Sequence, residues 1–65
     1  ESIETRNGNI PAGIVPDKIV TSAKEHFPGA MIIEYEVNRR SFEIKLSNRM
    51  EMKFDSLCNL VEIDD

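Results

Sequence analysis

The chain has 65 residues, a net charge of −4, a single cysteine and no tryptophan. One domain of this length buries only about 60% of its unfolded surface, so its stability margin is small. An acidic balance with no Lys/Arg stripe and no aromatic platform argues against nucleic acid as a partner. No apolar run approaches the roughly 20 residues of a membrane span, and one cysteine excludes an internal disulfide.

Residues 1–9 read as a linker or a leftover strand. Glu1-Ser2-Ile3-Glu4-Thr5-Arg6 suits a short extended segment anchored by Ile3, and Asn7-Gly8-Asn9 is a turn signal. Ile10-Pro11-Ala12-Gly13-Ile14-Val15-Pro16 has its aliphatics broken by Pro and Gly. That pattern is neither helix nor central strand, and an irregular apolar arm packed on the core is expected.

A helix is predicted from Pro16 or Asp17 to Phe27. Proline suits the first turn, and the Asp17 carboxylate favours the positive helix end. Ile19, Val20, Ala23 and Phe27 share one apolar face, with Phe27 expected as the largest anchor. Pro28 stops the ladder, and Gly29 is expected to permit the reversal. A helix this short needs a sheet to pack on, and serves as a lid over it.

From Met31 to Asp64 the chain reads as four strands. Ile33, Tyr35 and Val37 alternate with Glu34 and Glu36. Phe42, Ile44 and Leu46 alternate with Glu43 and Lys45. Met50, Met52 and Phe54 alternate with Glu51 and Lys53, and Val61 and Ile63 flank Glu62. Period-two alternation marks strands with one buried face. A hairpin with Arg39-Arg40 at its tip sets Val37 against Phe42. The next loop is decided by parity: a two-residue loop would set Leu46 against Glu51, whereas Ser47-Asn48-Arg49 sets Leu46 against Met50. Such loops end in a left-handed residue, so Arg49 is predicted at positive φ.

These registers align Glu34, Lys45 and Glu51 on the outer face, with Glu36, Glu43 and Lys53 as the next row. The face reads as a solvated surface or as a flat polar platform for a partner. Ile32 is expected on this outer face of an exposed first strand. The loop Asp55-Ser56-Leu57-Cys58-Asn59 leads to the last strand, an expected edge whose acidic end, Asp64-Asp65, discourages further pairing.

No catalytic spacing is present. His26 falls in the last helical turn, where a cation is favourable. A nucleophile–base pair would need Cys58 to meet His26 in space, and Cys58 reads instead as a small buried hydrophobe. One His, one Cys and scattered carboxylates give no metal set. Gly8, Gly13 and Gly29 are isolated and make no phosphate loop.

The order of these signals resembles the PepSY-like proteins of the bacterial cell envelope. The resemblance rests on residues 10–16, His26-Phe27-Pro28-Gly29-Ala30, Phe42-Glu43-Ile44-Lys45-Leu46-Ser47-Asn48, Glu51-Met52-Lys53-Phe54-Asp55 and Leu60-Val61-Glu62-Ile63-Asp64. It implies an α+β domain over residues 10–65, with one N-terminal helix packed on a four-stranded antiparallel meander. Members often carry two tandem copies and a secretion signal, and resemble beta-lactamase-inhibitor-like folds. This chain departs from the family in placing Arg49 where Gly is usual and in holding one complete copy. Its opening strand looks like the end of a preceding copy, which makes it the expected C-terminal repeat.

The resemblance implies a periplasmic or secreted location, although no signal peptide is present here. It also implies a non-catalytic protein-binding module, peptidase-inhibitor-like or regulatory, with no catalytic, cofactor or metal residue to carry over. The alternative is a structural repeat completing a larger sheet. The expected partner is another protein or a neighbouring repeat, with a homodimer through an exposed strand edge as a further expectation. A small-ligand carrier is disfavoured because a core this small leaves little room for a cavity.

Overall fold

The computed structural model describes residues 2–4 as backbone and residues 13–65 in full. The Asn7-Gly8-Asn9 turn and the first part of the apolar arm lie outside the described residues. Six elements follow in order: β1 (Ser2–Glu4), α1 (Asp17–His26), β2 (Ile32–Val37), β3 (Ser41–Leu46), β4 (Glu51–Asp55) and β5 (Leu60–Asp64). The strands form one antiparallel sheet in the order β1-β2-β3-β4-β5. The predicted α+β fold is therefore present, with β2–β5 as the meander. The opening segment adds a further strand beside β2, with Ile3 opposite Tyr35. The first strand of the meander is consequently not an edge.

Helix α1 begins at Pro16, whose carbonyl accepts from the backbone N–H groups of Ile19 (3.0 Å) and Val20 (3.1 Å). It has no side-chain cap. It ends at Phe27, whose N–H donates to the Ala23 carbonyl at 2.8 Å. Ile19 and Ala23 are buried, whereas Val20 and Phe27 are half-buried against the core. The helical anchor is therefore Ile19 rather than Phe27, which stands at the C-cap just past the last helical residue, His26. The reversal does not use a left-handed glycine. Gly29 has no positive φ, and the turn is closed by Ala30 N–H donating to the Phe27 carbonyl at 3.0 Å. Gly13 does adopt φ 89°, immediately before the arm turns inward. Within the arm, Val15 is buried and Ile14 is exposed.

The core lies between α1 and the inner sheet face: Val15, Ile19, Ala23, Tyr35, Ile44, Leu46, Met52 and Phe54. The central strands β3 and β4 supply Ile44, Leu46, Met52 and Phe54, all essentially without solvent exposure. Tyr35 stacks on Phe42 with ring centroids 6.2 Å apart, a diagonal cross-strand contact that tightens the β2–β3 hairpin.

Both predicted hairpin registers are observed. Val37 pairs with Phe42, and Asn38 N–H donates to the Ser41 carbonyl at 2.9 Å. Leu46 N–H donates to the Met50 carbonyl at 2.8 Å, closing the Ser47-Asn48-Arg49 loop. Arg49 has φ 73°, and Asn48 Oδ1 accepts from Met50 N–H at 3.0 Å.

Two bulges change which residues face inward. In β2 the pairing passes from Ile32↔Leu46 to Glu34↔Lys45, so Ile33 is the extra residue. Ile32 therefore shares the inner side with Leu46 and packs on the core, contrary to its expected outer position. In β5 the pairing passes from Phe54↔Leu60 to Lys53↔Glu62, so Val61 is the extra residue. Leu60 takes the inward place expected of Val61, which is 66% exposed.

Candidate functional site

Helix α1 covers one face of the sheet, and the other face carries no covering element among the described residues. The pairing continues the predicted charge rows across the sheet. One row runs Glu4, Glu34, Lys45, Glu51 and Asp64 in backbone register; the other runs Ser2, Glu36, Glu43, Lys53 and Glu62. Within β2–β4, Glu36 against Glu43 is the like-charge pair expected from sequence. The edge strands add two more, Glu4 with Glu34 and Glu51 with Asp64. Carboxylates thus outnumber the two lysines along these rows, and Lys45, Glu62 and Asp64 are exposed. This face flanks the open edge of β5, where every residue from Val61 to Asp64 is exposed.

A second region lies where α1 meets the β4–β5 loop. Asp55 organises this loop as an Asx-type turn. Its Oδ1 accepts from the N–H groups of Leu57 (2.9 Å) and Asn59 (2.8 Å). Its backbone N–H donates to the Asn59 carbonyl at 2.9 Å, and Cys58 N–H donates to the Asp55 carbonyl at 2.9 Å. The Asn59 backbone N–H bond is the main reason the Asp55 carboxyl is held below its ordinary value; desolvation opposes it, and the Leu57 backbone N–H, the Asn59 side-chain amide and the charge of Lys18 add to the lowering. Lys18 Nζ donates to Asn59 Oδ1 at 2.7 Å and to the Leu57 carbonyl at 3.3 Å, tying helix to loop. Neither of these ties was deduced from sequence, although Asp four residues before Asn in a Ser-containing loop is a turn signal that could have located the first.

Between α1 and this loop lies an open depression of about 350 Å³, lined by Lys18, Ser22, Glu25, Cys58 and Leu60 among others. Cys58 is half-buried against the core and has φ 65°, so it is packed but not sealed as the sequence suggested. Burial, and secondarily the nearby Cys58 thiol, push the Tyr35 phenol above its usual value. His26 Nδ1 lies 2.9 Å from the Ser22 carbonyl oxygen, so that nitrogen carries the proton and the ring is bound to its own helix. The structure does not bring His26 to Cys58 as a nucleophile–base pair. Among the described residues no three of His, Cys, Asp and Glu gather where a metal ion could be held. Also among the described residues, no helix is long and apolar enough to cross a membrane.

The arrangement is that of a small α+β module with one face sealed by a helix and the other left as a charged platform. The chain belongs to the PepSY-like family: the family model described as "Putative beta-lactamase-inhibitor-like, PepSY-like" matches residues 1–62. It is similar to a crystal structure described as a "putative calcium-regulated periplasmic protein" from Bacteroides thetaiotaomicron, with 34% identity and a TM-score of 0.93 over 100% of this chain and 51% of that one. A second similar structure, a "putative periplasmic protein from DUF2874 family" from Bacteroides vulgatus, has 31% identity and a TM-score of 0.90 over 98% of this chain and 50% of that one. A third, of unknown function and also from Bacteroides vulgatus, has 26% identity and a TM-score of 0.89 over 98% and 51%. The chain therefore spans about half the length of each of these relatives. No curated protein matches it.

Proposed function

We propose that this chain is a non-catalytic protein-binding module of the cell envelope, and the descriptions of two similar structures as a "putative calcium-regulated periplasmic protein" and a "putative periplasmic protein" support a periplasmic location. The observation that carries this reading is the outer face of β2–β4, a surface with registered charge rows and, among the described residues, no helix over it. Flat polar surfaces of this kind dock partners through charge complementarity more than through apolar burial. The inhibitor-like description of the family supports a protein partner. A photo-crosslinking side chain placed at Lys45, on the outer face, should capture one identifiable envelope protein, whereas the same group at Lys24 on the exposed side of α1 should not. Equal capture from both positions, or none from Lys45, would reject the proposal.

A second reading, a structural repeat that completes a larger sheet, is favoured by two facts. The chain spans about half of its relatives, and β1 already lies against β2 as the last strand of a preceding copy would. On this reading the 65-residue chain alone exposes surface meant for a neighbour, and sedimentation should show self-association as concentration rises. A stable monomer at every concentration would remove it.

A further inference from the structure

We propose that the open edge of β5 accepts an extended peptide strand in which basic and apolar residues alternate. This rests on the protein-binding reading above and names the partner's chemistry. At the opposite side of the sheet the described part of β1 is Ser2–Glu4, whereas β5 runs for five residues and, among the described residues, is paired with β4 alone. A strand in that position points alternate N–H and C=O groups away from the sheet, which is the template for strand addition.

The side chains of β5 specify what would fit. The Val61 bulge sets Glu62 and Asp64 on the outer face and turns Ile63 toward the inner side, opposite Met52. Ile63 remains 38% exposed at the lip of the core, so an added strand gains by placing an apolar residue beside it. On the outer face the nearest added residues would stand about 4.8 Å from Glu62 and Asp64. Glu62 already has Lys53 on its other side, but Asp64 has Glu51 there, carboxylate beside carboxylate. A cation next to Asp64 would relieve that pair, and a further carboxylate would extend it.

The same charges disfavour a second copy of this chain. Antiparallel pairing of β5 with β5, in either register that overlaps most of the strand and keeps Ile63 on the core side, sets Glu62 against Glu62 or against Asp64. The acids that keep two copies apart therefore select for a basic strand.

The test uses three synthetic octapeptides: alternating Lys and Val, alternating Glu and Val, and a Lys/Val peptide of the same composition with the alternation scrambled. Backbone amide shifts of the full chain are followed at one fixed ionic strength. The alternating Lys/Val peptide should move the amides of Leu60 to Asp64 and bind at least tenfold more tightly than either other peptide. The double variant Glu62→Lys, Asp64→Lys should reverse the ranking of the Lys and Glu peptides. Should that variant misfold, Asp64→Asn, a milder change at an exposed position, should still reduce the Lys/Val preference severalfold. Equal binding of ordered and scrambled Lys peptides, or shifts centred on Glu34, Glu36 and Glu43 without β5, would overturn the proposal. Capture of a partner at Lys45 together with a silent β5 would reject the strand site and leave the protein-binding reading in place.

Discussion

At Arg49 the backbone holds φ 73°, a conformation that costs a side chain with a Cβ roughly 1 kcal/mol. Arg49→Gly should therefore stabilise the chain by about 0.5–1 kcal/mol, less the extra entropy glycine gives the unfolded state, and Arg49→Val should destabilise it. Denaturant midpoints of the three proteins would check the order. Asp55 gives a pH prediction. Its folded carboxyl is held below the usual carboxylate value, so its contribution is fully present above the unfolded value near 3.8 and is lost as pH falls through the lower, folded one. Asp55→Asn should lack that acid-side increment, visible as a flatter dependence of melting temperature on pH below about 4. Tyr35 works on the alkaline side. Its phenol is raised by burial, so stability is full below the unfolded value near 10 and declines as pH climbs from there toward the folded value. Phenolate absorbance in the folded chain should appear later than in denatured chain.

Among elements, α1 depends on Ile19, which has no solvent exposure, more than on the half-buried Phe27. Ile19→Ala should cost about 2–5 kcal/mol, a large part of a small domain's stability, and Phe27→Ala less than the same change in a sealed core. Urea unfolding of both variants would rank them, and a larger loss at Phe27 would contradict the packing. The β5 bulge makes a sharper contrast. Val61→Lys should change stability by no more than about 0.5 kcal/mol, while Leu60→Lys should destabilise the sheet clearly.

That contrast also marks where the sequence stopped being readable. Alternation located every strand of the meander, and face parity alone gave the Ser47-Asn48-Arg49 loop and the left-handed Arg49. Ile32-Ile33 and Leu60-Val61 are adjacent apolar pairs, and a bulge can turn either member inward without changing composition. Which member faces the core is set by pairing with β3 and β4, a non-local cause that local periodicity does not carry. The reversal expected at Gly29 is present, closed by the Ala30 N–H bond to the Phe27 carbonyl and without a left-handed φ.

For the whole molecule, the outer charge rows were legible for β2–β4, because two registers followed from two loops. The edges were not, because β1 reaches β2 from the far end of the chain. The like-charge pairs that characterise both edges appear only once five strands stand in order. A candidate docking surface of this kind has no motif. It exists as an arrangement of ordinary Glu and Lys positions, which explains why residue types alone named no site.

The pairing of β1 has a consequence for how the molecule assembles. Each hairpin from β2 to β5 joins neighbours along the chain, while Ile3 meets Tyr35 only after half the sequence has been threaded past. Closing that larger loop carries the greater entropic cost, so the meander forms first and β1 arrives late. Native-state hydrogen exchange should then release the β1–β2 amides at lower free energy than those between β3 and β4; equal protection would contradict this order. A strand that arrives last also leaves first, and each departure bares the edge of β2 to any identical strand nearby. At low concentration the vacancy refills from the same chain, and at high concentration from another, so strand exchange between molecules is the expected route to any reversible dimer.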